Sequence, residues 1–124
     1  MGKVVKFEEL KIWQEARRIV HEIYLQTAHI KDYGFNDQIQ RAAISIMNNI
    51  AEGFESGGNV MFKKFLYIAK GSCGEVKSML YVAEDLRYIE PGITQTLINA
   101  CQGLGSAINK LILHLKEHPT KPTT

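Results

Sequence analysis

Residues 45–56 read SIMNNIAEGFES, and the pattern of this stretch decides how the chain folds. Its isoleucines continue an apolar stripe that steps by three and four residues, which is the period of an α-helix. The stripe consists of Ile39, Ala43, Ile46 and Ile50. The polar residues fall on the reverse side of the same helix, so they do not interrupt its core face. They are Arg41, Ser45, Asn48 and Glu52. The stretch is therefore predicted to belong to a core helix rather than to the wall of an active site.

Three more segments carry apolar stripes of the same period, separated by short breaks rich in Gly, Pro, Asn and Asp. We expect helices over residues 8–30, 36–55, 59–89 and 93–117, with Asn36 as the N-cap of the second. No segment alternates with a period of two, so no strand is predicted. Short connections place consecutive helices side by side in opposite directions. The predicted fold class is therefore all-α, an antiparallel up-down-up-down four-helix bundle.

The composition is that of one globular domain. The 124 residues are 45% hydrophobic and 23% charged, which provides enough apolar surface for one core. We assign the bundle to residues 1–118 and expect the tail at 119–124 to be disordered. The sequence contains no apolar run of membrane-spanning length and no signal-peptide pattern, so we expect a cytoplasmic protein without a membrane partner. Cys73 and Cys101 fall on core stripes and are expected to be buried there.

The apolar arcs of the helices are wider than a single bundle needs. Ile44 and Met47 broaden the arc of the second helix, and the outer face of the fourth helix carries uncharged polar side chains. Either the core of a single chain is unusually large, or this surface is buried between subunits. We favour the second alternative and predict a homo-oligomer. Asn49 lies beside small residues and is expected to hydrogen-bond across to another helix. We expect oligomer contacts or packing determinants at Ile44, Met47, Asn49, Glu52, Asn99 and Gln102.

One short motif suggests metal chemistry. Residues 114–118 read HLKEH, the H-x-x-E-H pattern of some zinc enzymes, and place His114 and His118 on one helical face. Too few residues follow to supply a third ligand, and histidines near a helix C-terminus suit the helix dipole without a metal. We therefore predict no metal site, no cofactor and no enzymatic activity.

The third predicted helix carries a basic and aromatic stripe beside its core face. Lys63, Lys70 and Lys77 recur every seven residues, and Tyr67 lies between the first two. Lysines pair with phosphates and tyrosine rings stack on bases, so the stripe is a candidate nucleic-acid contact, extended by Arg87. The alternative is a solvated helix face whose tyrosines cover neighbouring helices. The net charge of +2 does not decide between these alternatives.

Three stretches of the chain resemble one protein family. They are residues 7–16 (FEELKIWQEA), residues 38–46 (QIQRAAISI) leading into 49–53 (NIAEG), and residues 65–72 (FLYIAKGS) with Glu75. They resemble the four-helix-bundle proteins encoded by intervening sequences in bacterial 23S rRNA genes, a family that includes accessory proteins of diversity-generating retroelements. Met47 stands where that family usually has proline, so its kink in the second helix is not required here.

The resemblance implies a small non-enzymatic bundle that assembles as a homopentamer and associates with RNA, DNA or a nucleoprotein through a basic surface. The leading hypothesis is therefore an oligomeric protein that contacts nucleic acid through Lys63, Tyr67, Lys70, Lys77 and Arg87. The alternative is a protein–protein interaction module that docks a partner, such as a reverse transcriptase, without touching nucleic acid.

Overall fold

The computed structural model describes residues 4–118, which form a short 3₁₀ turn and four α-helices. The turn is Phe7–Glu9, and the helices are α1 (Lys11–Thr27), α2 (Tyr33–Glu55), α3 (Asn59–Asp85) and α4 (Pro91–Glu117). This part of the chain contains no strand, and hydrogen bonds pair consecutive helices in opposite directions. The predicted all-α fold, an antiparallel four-helix bundle, is confirmed. The predicted tail at 119–124 lies outside the described residues.

The apolar stripe of α2 lies at the centre of the core. Ile39, Ala43, Ile46 and Ile50 are each 0% exposed. On α1, Ile19 is buried and Val20 is half-buried, and this helix packs far more extensively on α2 than on α4. Over residues 4–118, no helix combines the length and the apolar content that crossing a membrane requires.

The start of α2 differs from the prediction. The N-cap is Asp32, whose Oδ1 accepts a hydrogen bond of 3.1 Å from the backbone N–H of Phe35. Asn36 lies inside the first turn, where its amide donates to the backbone oxygens of Thr27 (3.2 Å) and Ile30 (2.8 Å). Asn36 therefore bonds to the end of α1 and to the connection that follows it, rather than capping its own helix.

The glycine of residues 49–53 sets the distance between α2 and α3. Gly53 is buried, and a Cβ atom placed on it would lie 2.7 Å from Cβ of Phe65 and 3.0 Å from Cδ1 of Phe62. No side chain fits in that space without moving α3. Gly53 therefore permits the close packing of the two helices at this end of the bundle.

Ser45, rather than Asn49, makes a polar contact between α2 and α3. The amide of Asn49 donates to the backbone oxygen and to Oγ of Ser45, at 2.8 and 2.9 Å, within its own helix. Ser72 on α3 donates to the same Ser45 Oγ at 2.9 Å. The expected bond from Asn49 across to another helix is therefore wrong for this bundle, because Ser45 lies one turn earlier on the side that faces α3. The α2 helix is continuous through Met47.

Candidate nucleic-acid interface

Two predicted lysines span the gap between α3 and α4. Lys70 donates to Oδ1 of Asn109 at 2.9 Å, and Lys77 donates to Oε1 of Gln102 at 2.6 Å. Seven residues forward on α3 thus correspond to seven residues back on α4, as expected for antiparallel helices in constant register. The heptad spacing seen in the sequence therefore places successive ammonium groups along one interhelical groove.

We call this groove, of about 460 Å³, the α3–α4 lysine groove. Its walls are formed by Lys70, Gly74 and Lys77 on α3 and by Gln102, Gly105, Ser106, Asn109 and Lys110 on α4, with Cys73 and Cys101 beneath. A Cβ at Gly105 would lie 3.8 Å from Cβ of Cys73, which is an ordinary van der Waals distance, so α4 lies directly above Cys73 at this position.

The groove is positive and contains hydrogen-bond donors. Among the described residues that line it, none is acidic. The oxygens that hold Lys70 and Lys77 belong to neutral amides, so they orient the ammonium groups without cancelling their charge. An anion is the ligand that this arrangement suits.

Tyr67 lies beside the same set of lysines, on the part of α3 that precedes the groove. Its pKa is below the ordinary value, first because the ammonium of Lys116 donates a hydrogen bond to its hydroxyl oxygen; the charges of Lys116, Lys70 and Lys63 add to this effect. The ammonium of Lys116 is 5.7 Å from the centre of the Tyr67 ring. The structure therefore brings Lys63, Tyr67 and Lys70 together and adds Lys116, which the sequence analysis did not single out.

Arg87 does not join this cluster. It follows the last turn of α3 with φ of 57°, in the left-handed region that favours glycine. The backbone N–H groups of Arg87 and Tyr88 bond to the oxygens of Glu84 (3.1 Å) and Ala83 (2.8 Å), the pattern of a helix-ending Schellman motif. The position of Arg87 beyond the helix end explains its separation from the lysines; its contact with nucleic acid stays a prediction.

Sequence reasoning missed the contribution of α4 to this surface. Gln102 was assigned to a subunit contact, but within one chain it binds Lys77. A signal was present, because Gln102, Ser106, Asn109 and Lys116 are spaced by four, three and seven residues, as are Lys63, Tyr67, Lys70 and Lys77 on α3. Only the register between the two helices turns these two patterns into one groove.

The cysteines below the groove are unsuited to nucleophilic chemistry. Burial raises the pKa of the Cys73 thiol from 9.0 to about 12, and the neighbouring Cys101 adds to the shift. Burial likewise raises the pKa of Cys101 to about 12, against a small opposing effect of Lys77. Both groups therefore stay protonated near neutral pH, and a protonated thiol is a poor nucleophile.

The histidine pair at the end of α4 makes contacts of its own. The rings of His114 and His118 lie 4.4 Å apart, and Nδ1 of His118 is 2.9 Å from the backbone oxygen of His114. Within residues 4–118, no three His, Cys, Asp or Glu side chains converge as the ligands of a metal ion would. One ring nitrogen of the pair is thus already engaged with the backbone.

The residues predicted for oligomer contacts or packing are spread over the bundle surface. Ile44 and Met47 are half-buried, and Glu52 is exposed. Asn99 is also exposed and accepts a bond of 3.2 Å from Gln95 on its own helix. Their part in assembly stays a prediction.

Two exposed apolar side chains and two glycines lie on the part of α3 that faces away from the core. Ile68 is 51% exposed and Tyr81 is 46% exposed. Between them, Gly71 and Gly74 have nothing within 4 Å of an added Cβ atom. Glycine inside a helix costs about 1 kcal/mol relative to alanine, and no neighbour within this chain explains that cost.

A second groove, of about 330 Å³, separates α1 from α4. Its apolar floor consists of Ile19, Ile93, Leu97 and Ala100, and charged residues of α1 form one rim. The groove follows from the limited packing between these two helices, and it leaves an apolar surface open to a partner.

Comparison with known proteins places these features in a family context. The sequence matches the model of the 23S rRNA-intervening sequence proteins over residues 8–110. The fold is similar to the crystal structure of a protein of unknown function from the S23 ribosomal protein family of Bacteroides thetaiotaomicron, with a TM-score of 0.73 and 22% identity. That similarity covers 82% of this chain and 97% of the other. No protein of curated function matches the sequence.

Proposed function

The chain belongs to the 23S rRNA-intervening sequence protein family, and from that premise we propose a non-enzymatic, homo-oligomeric bundle that binds RNA. The observation that carries the proposal is the α3–α4 lysine groove. Lys70 and Lys77 are held across it by neutral amides, and Lys63 and Lys116 lie at its Tyr67 end. Positive groups aligned along a helix release counterions from a phosphate backbone, which is the main source of sequence-independent affinity.

Binding of a labelled RNA at several salt concentrations tests this function. A Lys63→Ala/Lys70→Ala/Lys77→Ala variant loses three phosphate contacts, so the slope of log K against log salt becomes shallower by about 2. At ~0.1 M salt the same loss corresponds to about a hundredfold weaker binding.

The matched control removes three exposed lysines outside the groove and outside α3, in a Lys6→Ala/Lys11→Ala/Lys31→Ala variant. It lowers the net charge equally and is expected to keep most of the affinity. Equal losses of RNA affinity in the two variants would show that the groove is not the RNA-binding site. Undetectable RNA binding by the unmodified protein at low salt would end the proposed function itself.

The oligomer is supported by the outward face of α3. Exposed Ile68 lies one turn before Gly71 on the same side of α3, and an apolar side chain beside a glycine allows another helix to approach closely. Light scattering is expected to give five copies of the 14.0 kDa chain, or about 70 kDa. A mass of one chain at micromolar concentration would refute assembly, and another multiple would refute the pentamer alone.

A second candidate function is that of a module that docks a protein partner, such as a reverse transcriptase. The α1–α4 groove favours it, because its floor is apolar and open. Ala100→Arg fills this groove, whereas Ala107→Arg adds the same charge at an exposed position of α4 outside it. A partner recovered after nuclease treatment is expected to be lost with the first variant and kept with the second; retention by both would refute the groove as the docking site.

A further inference from the structure

We propose that the α3–α4 lysine groove selects single-stranded over double-stranded nucleic acid, with the phosphodiester backbone along the groove and a base stacked on Tyr67. Such a strand-selective site presupposes the RNA binding proposed above and adds the form of nucleic acid that is recognised.

The positions of the ammonium groups favour a flexible ligand. Lys70 and Lys77 extend from α3 to side chains of α4, so their charges lie across the groove rather than at the end of outward-pointing arms. A phosphate reaches both charges by lying along the space between the two helices. A single strand can follow that path, whereas the backbone of a duplex is held by its partner strand in a stiff, wide helix.

The amides of α4 add donors for the phosphate oxygens. Since Oδ1 of Asn109 and Oε1 of Gln102 accept from the lysines, the NH₂ groups of both amides point away from them. Ser106 contributes a hydroxyl to the same wall. Charged and neutral donors thus alternate along the groove, and none of the described lining residues opposes an anion with a carboxylate.

Tyr67 supplies a stacking surface next to this path. The side chain is 45% exposed, and Lys116 and Lys63 flank it with positive charge. Bases of a single strand are free to stack on an aromatic ring, whereas bases of a duplex are covered by their neighbours. A basic groove beside an exposed ring is the combination found where proteins bind single strands without sequence preference.

Fluorescence anisotropy with labelled oligouridine tests the proposal, with the oligouridine–oligoadenosine duplex as competitor. We expect the unlabelled single strand to compete at least tenfold better than the duplex, because only the single strand has a base free to stack on Tyr67. Asn109→Leu and Gln102→Leu keep the net charge but free the lysines, and each is expected to weaken binding by about two- to tenfold. The salt dependence of these variants stays unchanged, because all phosphate-binding charges are present.

Three further variants complete the design. Tyr67→Ala is expected to reduce the preference for the single strand, and Lys70→Ala to lower the salt slope by about 0.7. Lys31→Ala removes the same charge from the connection between α1 and α2 and is expected to change little. Circular dichroism confirms that each variant is folded.

The outcomes separate the two proposals. Equal competition by duplex and single strand, or unaltered binding by both amide variants, would overturn strand selection while RNA binding stands. Absence of oligouridine binding by the unmodified protein, with the duplex also unbound, would overturn the proposed function as well.

Discussion

Replacement of Gly53 by alanine tests the packing that joins α2 to α3. The new Cβ would lie 2.7 Å from Cβ of Phe65 and 3.3 Å from the backbone oxygen of Phe62. Non-bonded carbon atoms prefer separations of about 3.5–4.0 Å, so the pair must move apart by roughly 1 Å. Neither neighbouring atom is the free end of a flexible side chain, so relief requires displacement of α3 itself.

Two opposing effects set the size of the change. Alanine favours the helix over glycine by about 1 kcal/mol. Overpacking of a tight core costs typically 1–3 kcal/mol, and the fixed Cβ of Phe65 places this site at the upper end. We expect a net loss of about 2 kcal/mol, which for a domain of this size lowers Tm by roughly 8 °C.

Gly103→Ala is the matched control. Gly103 also lies within a helix, but its added Cβ meets nothing within 4 Å. Only the helix propensity changes, so Tm is expected to rise by roughly 4 °C. Thermal unfolding followed by circular dichroism measures both variants at one protein concentration, because the Tm of an oligomer depends on concentration. Equal shifts of the two variants would refute the packing role of Gly53.

Three smaller predictions concern pH and the helix ends. Because the thiols of Cys73 and Cys101 have pKa values of about 12 in the folded state, unfolding releases their protons once the pH exceeds the ordinary value of 9.0. The free energy of unfolding should therefore fall above pH 9 by about 1.4 kcal/mol per thiol and pH unit, and urea titrations of the double alanine variant should show a shallower fall. The pKa of Asp32 is lowered, first by the hydrogen bond from Tyr88 (2.7 Å) and then by the backbone of Phe35. This stabilisation is present above the ordinary pKa of 3.8 and is lost as the pH falls through the lower pKa of the folded state. The urea midpoint of Tyr88→Phe should therefore change less between neutral and acidic pH than that of the unmodified protein. An identical change in both proteins would exclude the contact. Arg87→Gly removes the strain at φ of 57° and should raise stability by about 0.5–1 kcal/mol, whereas Arg87→Ala should not.

The core of the bundle was readable from the sequence because burial on a helix has a fixed period. Ile39, Ala43, Ile46 and Ile50 follow that period and are fully buried. Helix ends were harder to predict from the sequence. Asparagine is a common N-cap residue, but Asn36 bonds to the end of α1 instead. Both Asp32 and Asn36 can cap a helix, and the backbone path of the loop selects between them.

The candidate site likewise has one part that could be predicted from the sequence and one part that could not. The spacing of Lys63, Lys70 and Lys77 alone determined that their charges share one side of α3, because seven residues make almost two turns. Only the tertiary structure decided that Gln102 and Asn109 face those lysines, since the register between α3 and α4 depends on how the whole core packs. Local sequence fixes the period of a helix, whereas the pairing of side chains on different helices is a property of the assembled bundle.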